Sequence, residues 1–116
     1  LVLSADSGVS PFCYYGQFSR LAGADAAIFT SFGGRFPFTE EVCRKICDGT
    51  ETEMGGLRSI FPVPSGGMKW QLFKKMVQVY GPDAIFLVGG ALLTESDDLT
   101  ANMHFYFEKL NEAVNK

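Results

Sequence analysis

The chain has 116 residues, 47% of them hydrophobic, and 10 basic against 13 acidic side chains give a formal charge of −3. This suffices for one domain with a real core and is too apolar for a disordered segment. Basic residues cluster only at Lys69, Lys74 and Lys75, which argues against a nucleic-acid partner, and no apolar run is long enough to span a bilayer. With no charged-then-apolar leader, a cytoplasmic location is expected, and the odd count of three cysteines reads as free thiols. The chain starts at Leu1 without an initiator Met, so a segment of something longer is expected.

Residues 1–8 read as irregular. Ser10 followed by Pro11 predicts a helix over about 11–22, stopped by Gly23, with Gly16 as an unfavourable interior residue. An apolar strand is expected over 25–31, then a loop to Phe38 containing Gly33, Gly34 and Arg35. Thr39, with Glu40 and Glu41 behind it, predicts a second helix ending at Gly49. A polar connector over 50–58 leads to a strand over 59–63, despite Pro62 and Pro64, which cannot donate to a central ladder. A third helix is predicted over about 68–80, with Trp70, Phe73, Val77 and Tyr80 on one buried stripe. Gly81 and Pro82 stop it, and a third strand follows over 84–88. The last helix is expected over about 97–114, burying Leu99, Met103, Tyr106, Leu110 and Val114.

Strands alternating with helices predict βαβ units and a parallel sheet. Three apolar runs each close on paired glycines: Gly33-Gly34, Gly66-Gly67 and Gly89-Gly90. Such pairs after a strand and before a helix turn backbone N–H groups inward, an arrangement that cradles phosphate; ordinary tight turns are the alternative. Three strands do not close a barrel and leave two unpaired edges. The fold class expected is therefore α/β, a partial (β/α)8 barrel with its glycine loops at the C-terminal ends of the strands.

Other residues carry less. Cys43 and Cys47 lie four apart, but Cys13 and His104 are too distant in sequence to complete a metal site, so all read as structural. Asp25 and Asp83 begin strands, at the barrel face that serves stability, and Glu95, Asp97 and Asp98 suit a helix start.

Arg20-Leu21-Ala22-Gly23-Ala24-Asp25, Gly33-Gly34-Arg35-Phe36, Phe61-Pro62-Val63-Pro64-Ser65-Gly66-Gly67 and Gly89-Gly90, in this order and spacing, resemble the C-terminal barrel segment of RuBisCO-like proteins. The resemblance covers most of the chain. It implies strands six to eight of the barrel. It implies substrate and phosphate contacts at Ser65, Gly66 and Gly67, and phosphate contacts at Gly89 and Gly90, although Ala91 stands where many members have a third glycine. Arg35 falls where true carboxylases carry a mobile-loop lysine, and Ile28 where they carry a phosphate-contacting histidine. Both departures speak against carbon dioxide fixation. The resemblance thus implies magnesium-dependent enolisation of a phosphorylated sugar derivative, with Arg35 closing the site as a catalytic lid residue. The magnesium ligands would lie in the missing upstream part of the barrel, no metal ligand being assigned here. A homodimer is also implied. The alternative from another class is a stand-alone, non-catalytic phosphate-binding half-barrel.

Overall fold

The computed structural model describes residues 7–115; of the irregular stretch expected over 1–8, the first six residues lie outside that range. The first helical stretch begins as the sequence predicts, with the Cys13 N–H donating to Ser10 Oγ at 3.2 Å. It winds as a π-helix over Phe12–Gln17 and passes directly into α1, Phe18–Leu21. Gly23, at φ 83°, closes the end, and the Ala24 N–H reaches back to Ser19 O at 3.0 Å. β1 (Ala26–Thr30) and β2 (Phe61–Ser65) then pair in parallel, Ala26 opposite Phe61 and Thr30 opposite Ser65.

Between the strands lies α2 (Glu40–Glu51), whose first turn is capped by Thr39: its Oγ1 accepts the Val42 N–H at 3.2 Å. Gly49 does not end this helix, contrary to expectation; α2 runs through it. Its role is close approach. A Cβ on Gly16 would sit 2.6 Å from Gly49 Cα, so the two helical stretches touch backbone to backbone, which also explains a glycine inside the first of them. Next to this contact Arg20 is 4% exposed. Its guanidinium donates to the carbonyls of Gly49, Thr52, Leu57 and Arg58, folding the polar connector onto α1.

The third helix starts later than predicted. After Gly66 and Gly67, both at positive φ, Lys69 is extended (φ −80°, ψ 136°). A 3-10 turn at Trp70–Leu72 follows, and regular α3 covers only Phe73–Tyr80. The expected third strand is also reduced. Segment 84–88 runs parallel to β2, but only Leu87 bridges, opposite Ser65. The N–H groups of Ile85 and Leu87 donate to Pro62 O (3.0 Å) and Pro64 O (3.1 Å). The prolines have no N–H to return, so the carbonyls of Asp83 and Ile85 receive nothing from β2. Because Pro62 and Pro64 occupy alternate positions, both face this edge, and the residues between them complete the ladder to β1.

A short α4 (Gly90–Leu93) leads to α5 (Leu99–Val114), capped by Asp98, whose Oδ1 accepts the Ala101 N–H at 3.0 Å. The buried face of α5 matches the predicted one in part. Tyr106 is buried and Leu110 packs against the core as expected, Asn102 joins them, donating to the carbonyls of Leu92 and Ser96, whereas Leu99 (53%), Met103 (45%) and Val114 (58%) are exposed. The core lies between one face of the strands and helices α2, α3 and α5, around Phe29, Ile46, Met68, Phe73, Met76 and Tyr80. The opposite strand face is uncovered and carries Ile28, Phe61, Ile85 and Leu87. No helix among the described residues is long and apolar enough to cross a membrane.

Candidate functional site

The C-terminal ends of β1, β2 and segment 84–88 come together at one edge. An open cavity of about 580 Å³ is lined there by Arg35, Phe36, Ser65, Gly66, Gly67, Met68, Lys69, Leu87, Gly89, Gly90, Ala91 and Thr94. All six residues singled out in the sequence line it. They arrive from three separate loops, because parallel strands place successive loops side by side.

The glycines make the loops fit. A Cβ on Gly67 would lie 2.9 Å from Gly34 N, and one on Gly34 would lie 3.2 Å from Gly66 O. The loop carrying Arg35 therefore rests backbone on backbone against the turn after β2. At φ 75° and 63°, Gly66 and Gly67 hold the left-handed conformations this turn needs. Their N–H groups, and that of Gly89, donate to no acceptor among the described residues. Gly90 and Ala91 open α4, where N–H groups lack helical partners. The helix-dipole part of the sequence argument is not met: α4 has four residues, and α3 begins beyond the 3-10 turn. What the cavity offers an anion is unpaired donors and formal charge.

Ser65 Oγ donates to Phe29 O at 3.0 Å, so its single proton is engaged and its lone pairs remain for a ligand hydroxyl. Arg35 is exposed, stacks its guanidinium on the Phe36 ring at 5.2 Å, and has no carboxylate partner among the described residues. Lys69 and Thr94 were not singled out from the sequence as site residues. Lys69 could have been found, since it lies two residues beyond Gly67. Thr94 lies beyond the apolar 84–93 stretch and carries no pattern; its hydroxyl donates to Gly90 O at 2.9 Å.

The magnesium implied by the resemblance does not fit the residues present. Among the described residues no carboxylate lines the cavity, and no cluster of His, Cys, Asp or Glu is able to hold a metal. The thiols and His104 stand apart from the site. Burial of Cys47 in the core pushes its thiol up to about 12, and burial raises Cys43 and Tyr80 as well, so these groups are neutral packing elements. Tyr80 and Ser31 share a buried hydrogen bond of 2.7 Å that ties α3 to the end of β1.

No protein-family profile matches the chain. Over 98 residues, 84% of its length, it is 41% identical to the 5-methylthioribulose-1-phosphate isomerase of Rhodospirillum rubrum, covering 26% of that protein. Over 110 residues it is 30% identical to the putative 2,3-diketo-5-methylthiopentyl-1-phosphate enolase of Shouchella clausii, covering 29%. A RuBisCO-like protein from Alicyclobacillus acidocaldarius superposes on 92% of the chain with a TM-score of 0.80 and 26% identity, the match covering 27% of that structure. The chain thus spans about a quarter of the length of the relatives it matches.

Proposed function

This chain belongs to the RuBisCO-like proteins, and from that premise we propose that it forms the phosphate-holding edge of an enzyme that enolises a phosphorylated sugar derivative. The observation that carries this reading is the cavity where Ser65, Gly66, Gly67, Gly89, Gly90 and Arg35 meet, whose Gly66, Gly67 and Gly89 N–H groups find no acceptor and which holds no carboxylate among the described residues. A phosphoryl group would take the N–H groups of Gly66, Gly67, Gly89 and Gly90. A substrate hydroxyl would donate to Ser65 Oγ, fixing the carbon chain relative to the phosphate. Arg35, hinged at Gly33 and Gly34, would close over the bound anion and exclude water. Ile28, on the uncovered strand face, offers no donor for a second phosphate, in keeping with a monophosphate substrate and against carbon dioxide fixation.

The chemistry of the named relatives supports the substrate class: both act on five-carbon methylthio sugar phosphates, and the higher identity to the isomerase favours that branch. We place the rest of the barrel against the uncovered strand face with Ile28, Phe61, Ile85 and Leu87, and the magnesium ligands in that remainder; a homodimer completes the reading. The exposed apolar face also counts against a stand-alone phosphate-binding module.

The test is to join the chain to the rest of its barrel, since the 116 residues alone are expected to be inactive, then incubate with magnesium and 5-methylthioribulose 1-phosphate in heavy water and follow the carbons beside the carbonyl by NMR. Deuterium uptake with formation of an isomer is expected. No uptake with either methylthio sugar phosphate would remove the enolisation reading.

A further inference from the structure

Arg35 and Lys69 are the only charged or titratable side chains lining the cavity among the described residues, and they approach from different loops. That is unusual in a chain with 13 acidic and 10 basic residues. Elsewhere Arg44, Lys45, Lys75 and Lys109 sit in ion pairs with glutamates, and Arg20 is occupied by carbonyls. Lys69 has no carboxylate within ion-pair distance among the described residues. Its backbone is held at both ends: its N–H donates to Gly67 O at 2.8 Å and its carbonyl accepts from Leu72 N–H at 2.9 Å. Its neighbour Met68 is 1% exposed and anchors the turn in the core. Arg35, by contrast, stands on an exposed loop with its guanidinium over Phe36.

We infer that Lys69 is the fixed cation of the anion site and that, with Arg35, it selects the dianionic form of a phosphoryl group. This rests on the reading of the cavity as a phosphate site and adds a residue and a charge state to it. Neutral N–H donors distinguish a monoanion from a dianion weakly; two positive charges lining one cavity do so strongly, because the Coulomb term scales with the ligand charge. The second proton of a phosphate monoester leaves near pH 6 and that of inorganic phosphate somewhat higher, closer to neutrality, so affinity for phosphate rises through that region.

The experiment is calorimetric titration of inorganic phosphate and of sulfate into the full chain at about pH 5 and about pH 8, either side of that transition. Wild type should bind phosphate several-fold more tightly at the higher pH, and sulfate, a dianion throughout, equally at both. Lys69→Met should weaken phosphate about tenfold at the higher pH and flatten its pH dependence, while Lys69→Arg retains both. Lys69 is exposed, so neither variant threatens folding. Wild-type affinity in Lys69→Met at both pH values, with Arg35→Met weakened, would overturn the role of Lys69 and leave the phosphate site standing. Failure of wild type to bind either anion would overturn both.

Discussion

Cys47 shows how a residue can be chemically conspicuous and functionally silent. It faces the core from α2, 7% exposed, and desolvation pushes its thiol up to about 12, well above the ordinary thiol range. A folded value above the unfolded one contributes stability that is full below about pH 9 and is lost as pH rises toward 12. Cys43 and Tyr80 are shifted in the same direction. The full chain should therefore lose thermal stability across that alkaline window, and Cys47→Val should reduce the loss without abolishing it; an unchanged pH profile would mean the thiol is not desolvated. The burial of Arg20 was not legible in the sequence. Its carbonyl partners lie 29 to 38 residues further along the chain, and nothing in their side-chain types announces them.

At the scale of elements, apolar runs and caps were legible and terminations less so. β1 follows from Ala26–Thr30 being short, apolar and bounded by turn residues, and α2 and α5 begin where Thr39 and Asp98 accept backbone donors. Gly49 was misread because a glycine serving close packing and a glycine ending a helix look alike in sequence. The inward face of α5 was legible at Tyr106 and Leu110 but not at Asn102, because periodicity reports an apolar stripe and says nothing of a buried amide whose partners are the carbonyls of Leu92 and Ser96. The three glycine loops were the most readable part of the site, although their mutual contact required coordinates. That contact makes a prediction. Gly66→Ala adds only the strain of a left-handed alanine, roughly 1–2 kcal/mol, since its Cβ meets nothing closer than Thr30 Cγ2 at 4.0 Å. Gly67→Ala adds the same strain and drives a methyl into the Gly34 backbone, so it should cost roughly 1–3 kcal/mol more and weaken phosphate binding further. Melting curves and phosphate titration of both variants of the full chain check this; equal losses would mean the loops are not in contact.

For the whole molecule, the notable property is incompleteness of the sheet. Among the described residues β1 pairs in a sheet with β2 alone and the far edge of segment 84–88 has no sheet partner, and the uncovered strand face is apolar. Phe86 and Val88 have N–H groups that donate to no acceptor among the described residues and point away from β2. If further strands from the rest of a barrel close this edge, the Phe86 and Val88 amides should be protected from hydrogen exchange when that remainder is present and exchange freely in the 116-residue chain alone. Equally rapid exchange with the remainder present would show that no strand pairs there.

The prolines of β2 give this architecture a direction of failure. Five residue pairs join β1 to β2, while two hydrogen bonds and one bridge join β2 to segment 84–88. Under a load applied across the strands, the seam beside Pro62 and Pro64 is the one that parts first. Parting it breaks only the bonds to Pro62 O and Pro64 O, and the Asp83 and Ile85 carbonyls beside them already receive nothing from β2, so water enters there at little further cost. The cavity that gathers the glycine loops straddles this seam, and separating its two sides pulls Gly89 and Gly90 away from Gly66 and Gly67 while Arg35 and Lys69 stay together.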